Sequence, residues 1–322
     1  MQLVAYGAQD IYLTGNPQIT FFKVVYRRHT NFAVESIEQT YNGSAAKGSK
    51  ISVTVSRNGD LLSAVWLVNK RGADVTAAGA WATVDNVEVE IGGQVIDKQY
   101  GHWMQVWTDL SLGGDKSALL DDCLAADVSE AGGADVSYMP LQFWFCRNPG
   151  LALPLIALQY HEVKLNITFA NPSSGGLESG DSVSVWCDYV FLDTDERRRF
   201  AQVSHEYLIE QVQFSNELSV SGGSTQHELR FNHPVKELVW TVNNGTTDIT
   251  VNDALLQLNG HDRFKRREGK YFTKVQRYQY HSGADDQGQG TANASVPHVY
   301  SFALKPEENQ PSGTCNFSRI DN

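Results

Sequence analysis

Runs of alternating apolar and polar residues recur along the chain, and they constrain its fold more than any other feature. A period of two is typical of a β-strand with one buried face. One run, residues 61–68, is instead continuously apolar, as in a strand covered on both faces. The runs of the first half are KISVTVSR (50–57), LLSAVWLV (61–68), NVEVEIGGQVIDKQY (86–100), HEVKLNITFA (161–170) and SVSVWCDYVFLD (182–193).

Gly92-Gly93 interrupts the run 86–100 and predicts a hairpin turn there. Helical periodicity is convincing only near residues 100–125, so strands do not alternate with helices, and this favours antiparallel sandwiches over a parallel sheet. The alternating runs of the second half are EYLIEQVQFSNELSV (206–220), ELRFNHPVKELVWTV (228–242), DALLQLNG (253–260) and HVYSFALK (298–305).

A charged block, LDTDERRRFAQVSHEYL, separates the two groups of strand-like runs. We therefore expect an N-terminal β domain over residues 1–195, a linker over 196–205 and a C-terminal β domain over 206–322. The Gly- and Asp-rich stretch at 281–295 predicts an exposed loop.

Charge and cysteine usage exclude several classes of protein. Lysine and arginine number 26 against 37 acidic residues, which gives a net charge of −11. Such a field repels nucleic acid on average, so we expect no direct binding to a genome. The four cysteines form no CxxC pair, and their spacing predicts reduced thiols. The N-terminal residues lack a signal-peptide pattern, and the apolar stretch 151–160 is too short to span a membrane and contains Pro154.

The sequence offers no motif for catalysis. The nine histidines are scattered without an HxH or HExxH spacing, and no phosphate-binding glycine motif occurs. Most of the seven tryptophans lie in apolar runs, where packing between sheets explains them better than sugar stacking does. We therefore predict no enzyme activity, no catalytic residue, no metal ligand and no cofactor.

Three basic clusters have two interpretations each: solvated or salt-bridged side chains, or contact with acidic neighbours. For DERRRF (195–200) the adjoining acids favour salt bridges, whereas for KVVYRRH (23–29) both interpretations stay open. The third cluster is DRFKRREGK (262–270).

Several long segments together resemble the major capsid proteins of nucleocytoplasmic large DNA viruses, of the algal-virus and iridovirus type. They occur in the family's order and cover most of the chain. They are QLVAYGAQDIYLTGNPQITFFKVVYRRHTNFAVES (2–36), RNGDLL (57–62), VEIGGQVIDK (89–98), NPGLALPLIALQYHEVKL (148–165), YVFLDTDERRRFAQVSHEYLIEQVQF (189–214), FNHPVKEL (231–238), LQLNGHDRF (256–264) and YSFALKPEENQPSGTCNFSRIDN (300–322).

The resemblance implies an all-β double jelly roll, that is, two tandem eight-stranded antiparallel sandwiches. It further implies a homotrimer with pseudo-six-fold symmetry that tiles an icosahedral capsid. Lys23, Arg27 and Arg28 then become candidate inward-facing contacts, to minor capsid proteins, neighbouring capsomers or an internal viral membrane. Asn293, in the loop 281–295, becomes the candidate glycan-bearing or host-facing residue. The expected location is the virion, after synthesis and assembly in the host cytoplasm.

The resemblance also implies that the sequence is short at both ends, with the last strands of the second jelly roll absent. Two other functions stay open beside the capsid subunit. One is a transient scaffold for the assembly of a large DNA virus, and the other is a glycan-binding β-sandwich. The oligomeric state and the presence of the chain in mature particles would distinguish the three.

Overall fold

The computed structural model describes residue 12 and residues 15–127, 135–171, 176–220, 223–243, 249–283 and 296–320. Within these residues antiparallel sheets dominate, which confirms the all-β expectation. No helix in the described ranges is long and apolar enough to cross a membrane.

The N-terminal half folds into a sandwich of two five-stranded antiparallel sheets. Its strands are β1 (Phe32–Gln39), β2 (Tyr41–Asn42), β3 (Lys50–Thr54), β4 (Leu61–Arg71), β5 (Val84–Ile91), β6 (Gln94–Tyr100), β7 (Asp135–Pro140), β8 (Leu153–Pro154), β9 (Val163–Phe169) and β10 (Ser182–Leu192). The first sheet has the order β1-β10-β4-β7, with β8 also paired to β4. The second has the order β2-β3-β9-β5-β6.

The alternation in the sequence corresponds to the faces of these sheets. In β9, Val163, Leu165, Ile167 and Phe169 are buried between the sheets, as the period of two requires. The predicted hairpin is also confirmed: β5 and β6 pair across Gly92-Gly93, and both glycines have positive φ. Burial of an apolar residue at every second position supplies the apolar core of the sandwich.

Six α-helices are present in the described residues, two of them in the predicted region 100–125. They are α1 (Ala77–Trp81), α2 (Gly101–Ser111), α3 (Gly114–Leu124), α4 (Trp144–Arg147), α5 (Thr194–Gln202) and α6 (Gln276–Tyr280). A π-helical turn covers Tyr271–Val275, and 3-10 turns cover Pro149–Leu151 and Phe317–Arg319. The expected linker at 196–205 is thus largely helical, because its acidic start and basic end suit the two poles of a helix.

The C-terminal half contains short antiparallel pairs: β11 with β18, β12 with β17, β13 with β16, and β14 with β15. Their bounds are β11 (Pro234–Val235), β12 (Glu237–Trp240), β13 (Asp253–Ala254), β14 (Gln257–Leu258), β15 (His261–Asp262), β16 (Arg267–Glu268), β17 (His298–Ser301) and β18 (Cys315–Asn316). Buried Phe272 and Val299 lie in the core of this half.

The prediction of a strand at residues 206–220 is wrong. The described residues of this segment form no ladder, and side chains satisfy its backbone instead. The Val212 N–H donates to Asp97 Oδ1 at 3.1 Å, and the Leu208 carbonyl accepts from Asn309 Nδ2 at 3.1 Å. The segment's alternation therefore reflects its contact with the N-terminal sandwich at β6, which single-sequence periodicity cannot distinguish from strand pairing.

Candidate assembly surfaces and the seam between the two halves

The strand register defines a basal end of the N-terminal sandwich. Phe32 at the start of β1 pairs with Leu192 at the end of β10, and Leu61 at the start of β4 pairs with both Val190 and Pro154. The segment that precedes β1 therefore leaves the sandwich at the same end as β8. We call residues 15–31 the N-terminal arm.

The N-terminal arm is exposed along its length. Lys23, Arg27 and Arg28, the predicted inward-facing residues, lie together on it and are all exposed. Hydrogen bonds in the arm are local, such as that between His29 Nδ1 and the carbonyl of Thr30 at 3.1 Å. The structure thus leaves the three cations available to an acidic partner. Asn293, the predicted glycan-bearing residue, lies outside the described residues.

The other two basic clusters make salt bridges. Arg197 Nε of α5 lies 2.9 Å from the buried carboxylate of Asp60, whose other oxygen accepts from the Leu192 N–H at 2.8 Å. Arg266 pairs with Asp253 at 2.8 Å, and the Arg267 guanidinium stacks 4.2 Å from the Tyr271 ring centre. The salt-bridge interpretation of DERRRF is therefore confirmed, although Arg197 pairs with distant Asp60 and only Arg198 approaches an adjoining acid, Asp195, at 4.0 Å.

An apolar cavity of about 340 Å³ opens near the basal end. It lies where the β5–β6 hairpin meets β8 and the extended segment that follows α5. Its lining is aromatic and aliphatic apart from the His161 imidazole and the Tyr207 hydroxyl. The lining residues are Ile91, Ile96, Trp144, Leu151, Leu153, Pro154, His161, Tyr207 and Ile209. We call this space the basal cavity.

A charged network joins the two halves of the chain. Glu210 accepts from Arg147 of α4 at 3.3 Å and from Lys236, which lies between β11 and β12. The Arg147 guanidinium also stacks 4.1 Å from the ring centre of Trp107 in α2. Burial of Arg147 lowers its pKa, which Glu210 and Asp97 partly offset. The pairing of charges from both halves helps to fix their relative position, because separating the halves would leave these half-buried charges without their partners.

Helix α2 makes an apolar contact at this seam. Val106 and Leu110 of α2 form a buried cluster with Val299 of β17 and half-buried Val239 of β12. The carboxyl end of the helix is capped by the C-terminal half. Arg277 donates to the Asp109 carbonyl at 3.1 Å, Ser282 Oγ to the Ser111 carbonyl at 2.7 Å, and the Gly283 N–H to the Leu110 carbonyl at 2.7 Å. These bonds satisfy carbonyls that the helix itself leaves without a donor.

His281 is clamped between two carboxylates beside this capped helix. Its side chain is fully buried, with Nε2 2.9 Å from Glu237 and Nδ1 3.0 Å from Glu307. Burial alone would lower the pKa of His281, but the two carboxylates raise it to about 9. Both ring nitrogens therefore donate at neutral pH, and the imidazolium links β12 to the loop after β17. The Ser282 N–H also donates to Glu307 at 2.9 Å, and the single proton of its hydroxyl is shared between the Ser111 carbonyl and a Glu307 oxygen, each 2.7 Å away.

Sequence reasoning missed this seam. It assigned residues 281–295 to an exposed loop, but residues 281–283 are held against α2. His281, Glu237 and Glu307 lie far apart in the sequence and form no motif, so only the fold brings them together. No spacing or periodicity in the sequence could have found them.

The described residues contain no group of three His, Cys, Asp or Glu side chains that could hold a metal ion. The four cysteines are free thiols, and burial raises the pKa of Cys146 and of Cys187 to about 12. A thiol with so high a pKa is a poor nucleophile at neutral pH. Trp81, Trp107 and Trp144 are buried, in agreement with the packing interpretation of the tryptophans.

Comparisons with known proteins agree over both halves. The sequence matches the family model "Major capsid protein N-terminus" over residues 20–193 and the model "Large eukaryotic DNA virus major capsid protein" over residues 196–322. It is 51% identical to the major capsid protein of Pyramimonas orientalis virus, an alignment that covers 100% of this chain and 89% of the relative. It is 46% identical to that of Paramecium bursaria Chlorella virus 1, over 100% of this chain and 85% of the relative.

Solved structures show the same fold. The capsid protein in the PBCV-1 virus capsid structure superimposes with a TM-score of 0.81 at 42% identity, covering 94% of this chain and 85% of that one. The Faustovirus major capsid protein shares the fold alone, with a TM-score of 0.67 at 11% identity over 98% and 89% of the two chains. The double jelly-roll expectation is thereby confirmed. The chain belongs to the major capsid protein family of large eukaryotic DNA viruses.

Proposed function

We propose how this chain, which as a member of this family is a structural subunit of a viral capsid, assembles into a shell. We propose that it forms a homotrimer and that the trimer is a pseudo-hexagonal capsomer of the outer shell. The chain carries two β-sandwich units, which we place at residues 1–195 and 206–322. Three copies around an axis then present six similar units, a shape that tiles a surface with little distortion. The role requires no catalysis, and we propose that the protein is not an enzyme.

The observation that carries this proposal is the 51% identity to a major capsid protein across the whole of this chain. The seam adds physical support. Arg147, Glu210 and Lys236 tie the two halves together through charges, and α2 ties them through apolar contacts. A subunit whose two halves are fixed to each other can transmit mechanical force through a shell as a single rigid unit.

We further propose that the basal end faces the interior of the particle. There Lys23, Arg27 and Arg28 contact acidic groups of minor capsid proteins, neighbouring capsomers or anionic lipid of an internal membrane. The net charge of −11 argues against wrapping the genome. We propose Asn293 as a glycan-bearing or host-facing residue. Synthesis and assembly take place in the host cytoplasm, and the product resides in the virion.

Light scattering on the purified full chain tests the oligomeric state. A mass of three chains at micromolar concentration supports the capsomer, whereas a stable monomer with a sugar-binding site supports the glycan-binding alternative and refutes the trimer. A chain that trimerises but is absent from mature particles supports the transient scaffold. No structural feature in the described residues favours either alternative over the shell subunit.

A further inference from the structure

The apolar side chains of the N-terminal arm have no packing partner among the described residues of their own chain. Phe22 is 100% exposed, Phe21 is 91% exposed and Ile19 is 76% exposed. Single exposed apolar residues are common on protein surfaces, but a run of them along one segment marks an interaction site. The arm therefore presents an aromatic anchor that is covered only when another surface meets it.

The basal cavity offers the apolar surroundings that an exposed aromatic side chain of the arm needs. Trp144, Leu151 and Pro154 give it an apolar wall, and His161 and Tyr207 bring polar groups to its lining. Its volume of about 340 Å³ is at the lower end of the range for ligand sites, which suits an inserted aromatic side chain better than a large ligand. Aromatic anchors in well-packed pockets contribute most of the free energy at many protein interfaces.

The register places the arm and the cavity at the same end of the sandwich. The arm leads into β1, whose first residue Phe32 pairs with Leu192 of β10. β8 (Leu153–Pro154), which lines the cavity, pairs with the first residues of β4 at that same end. Copies arranged side by side with their bases aligned would therefore bring the arm of one subunit to the cavity of the next.

Charge favours the same pairing. The arm carries Lys23, Arg27 and Arg28, while exposed Glu162 and Glu206 directly adjoin the lining residues His161 and Tyr207 in the sequence. Lys164 lies 3.2 Å from Glu162, and Arg57 donates to the His161 carbonyl at 3.2 Å, so two cations offset part of this negative charge. Charge therefore only assists the approach of the arm, and apolar burial supplies most of the affinity.

We propose that Phe22 of one subunit's arm inserts into the basal cavity of a second copy of the chain. The inference rests on the proposed assembly of copies into a shell, and it names the contact that joins them. The arm does not fill the cavity of its own chain, since its aromatic rings are fully or almost fully exposed in the single subunit.

The direct test places a photo-crosslinking benzoylphenylalanine at position 22 of the full chain. Unlabelled protein that carries the probe and ¹⁵N-labelled protein that lacks it, in excess, are unfolded and refolded together so that their subunits mix. After irradiation the cross-linked peptides are identified by mass spectrometry. We expect mixed-isotope pairs that join the arm to peptides containing Leu151–Pro154 or Tyr207–Ile209. The matched control carries the probe in place of Tyr278, an aromatic residue of α6 that is 90% exposed, and it should not label those peptides.

A second variant measures the contribution of the contact. F22S removes the anchor without disturbing a packed side chain, so the melting temperature of the subunit should not change. Burial of a phenylalanine at an interface is expected to make association roughly ten- to a hundredfold tighter, so F22S should weaken association by that factor. Y278S, the matched control, should leave association unchanged.

Several outcomes would overturn the proposal. Cross-links confined to one isotope would show that the arm folds back on its own subunit, and cross-links to other peptides would place the anchor elsewhere. If F22S assembles as tightly as the unmodified chain, the arm does not hold copies together. If light scattering finds trimers while these cross-links are missing, the arm contact fails and the proposed function stands. If it finds only monomers, both fail.

Discussion

Replacing His281 by glutamine puts a neutral amide between the carboxylates of Glu237 and Glu307. The imidazolium donates from both ring nitrogens, at 2.9 and 3.0 Å, and its side chain is fully buried. An amide has a donor group at only one end, so one carboxylate loses its hydrogen bond, and the positive charge between the two disappears. The substitution therefore leaves two acidic groups of the C-terminal half facing each other beside α2.

The magnitude follows from the pKa of His281. The carboxylates raise it from an ordinary 6.5 to about 9, which at 1.36 kcal/mol per pKa unit corresponds to about 3 kcal/mol of stabilisation of the charged form. Because the folded-state pKa lies above the unfolded one, this stabilisation is fully present below about pH 6.5. It is lost progressively as the pH rises through 9. Most of it is therefore still present at pH 7.

Urea denaturation followed by circular dichroism measures this effect. At pH 7 the H281Q variant should unfold with a free energy of unfolding about 3 kcal/mol lower than that of the unmodified protein. At pH 10 the difference should shrink to below about 1 kcal/mol, since His281 is then neutral in both states. H102Q is the matched control, because exposed His102 makes one 3.3 Å contact with Thr241 and should show little change at either pH. A difference of equal size at pH 7 and pH 10 would refute the electrostatic reasoning.

Three further predictions concern the N-terminal half. R71A removes the partner of the buried Asp181 carboxylate, which lies 3.1 Å from Arg71. In urea titrations it should lower the free energy of unfolding by about 3–5 kcal/mol, and a loss below about 1 kcal/mol would contradict this prediction. G92A should lower the melting temperature more than G93A does. Both positions have positive φ, but only at Gly92 would a Cβ lie 2.5 Å from His161 Nδ1, so equal effects of the two substitutions would argue against that contact. Cys146 and Cys187 should resist a thiol reagent in the native protein, whereas denatured, unreduced protein should titrate four thiols; a count of two would mean a disulfide.

The strands of the N-terminal half could be predicted from the sequence because their signal is local. Ile51 and Val53 in β3 alternate with polar residues, and Gly92-Gly93 supplies the left-handed backbone that the hairpin turn needs. Both signals lie within a few residues of the structure they specify. The same holds for α2, whose apolar face is buried at a period close to 3.6.

The parts that were wrong or missed depend on distant residues. Helix α5 buries none of its residues, so it has no apolar stripe, and only the capping of Asp193 and the arginines near its end indicated a helix. The segment 206–220 alternates because it packs beside β6, not because it pairs in a sheet. The His281 clamp joins residues 44 and 26 positions away along the chain, and no single-sequence pattern connects them.

The candidate sites also divide into those with a local sequence signal and those assembled from distant residues. Lys23, Arg27 and Arg28 were chosen from a short basic run, and a short run in an exposed segment keeps its exposure in the fold. The basal cavity could not be predicted, because its walls come from the β5–β6 hairpin, the region of β8 and the segment after α5. The long family-like segments predicted membership in the capsid protein family, since they extend over both halves of the chain.

Quantitative mass spectrometry of purified mature particles tests the central claim most directly. A shell subunit must be present in many more copies than any minor capsid protein or packaged enzyme. We therefore expect peptides from both halves of this chain to be the most abundant in the particle, at the abundance of its principal shell component. Absence of the chain from mature particles, or an abundance similar to that of minor components, would contradict its role as the shell subunit.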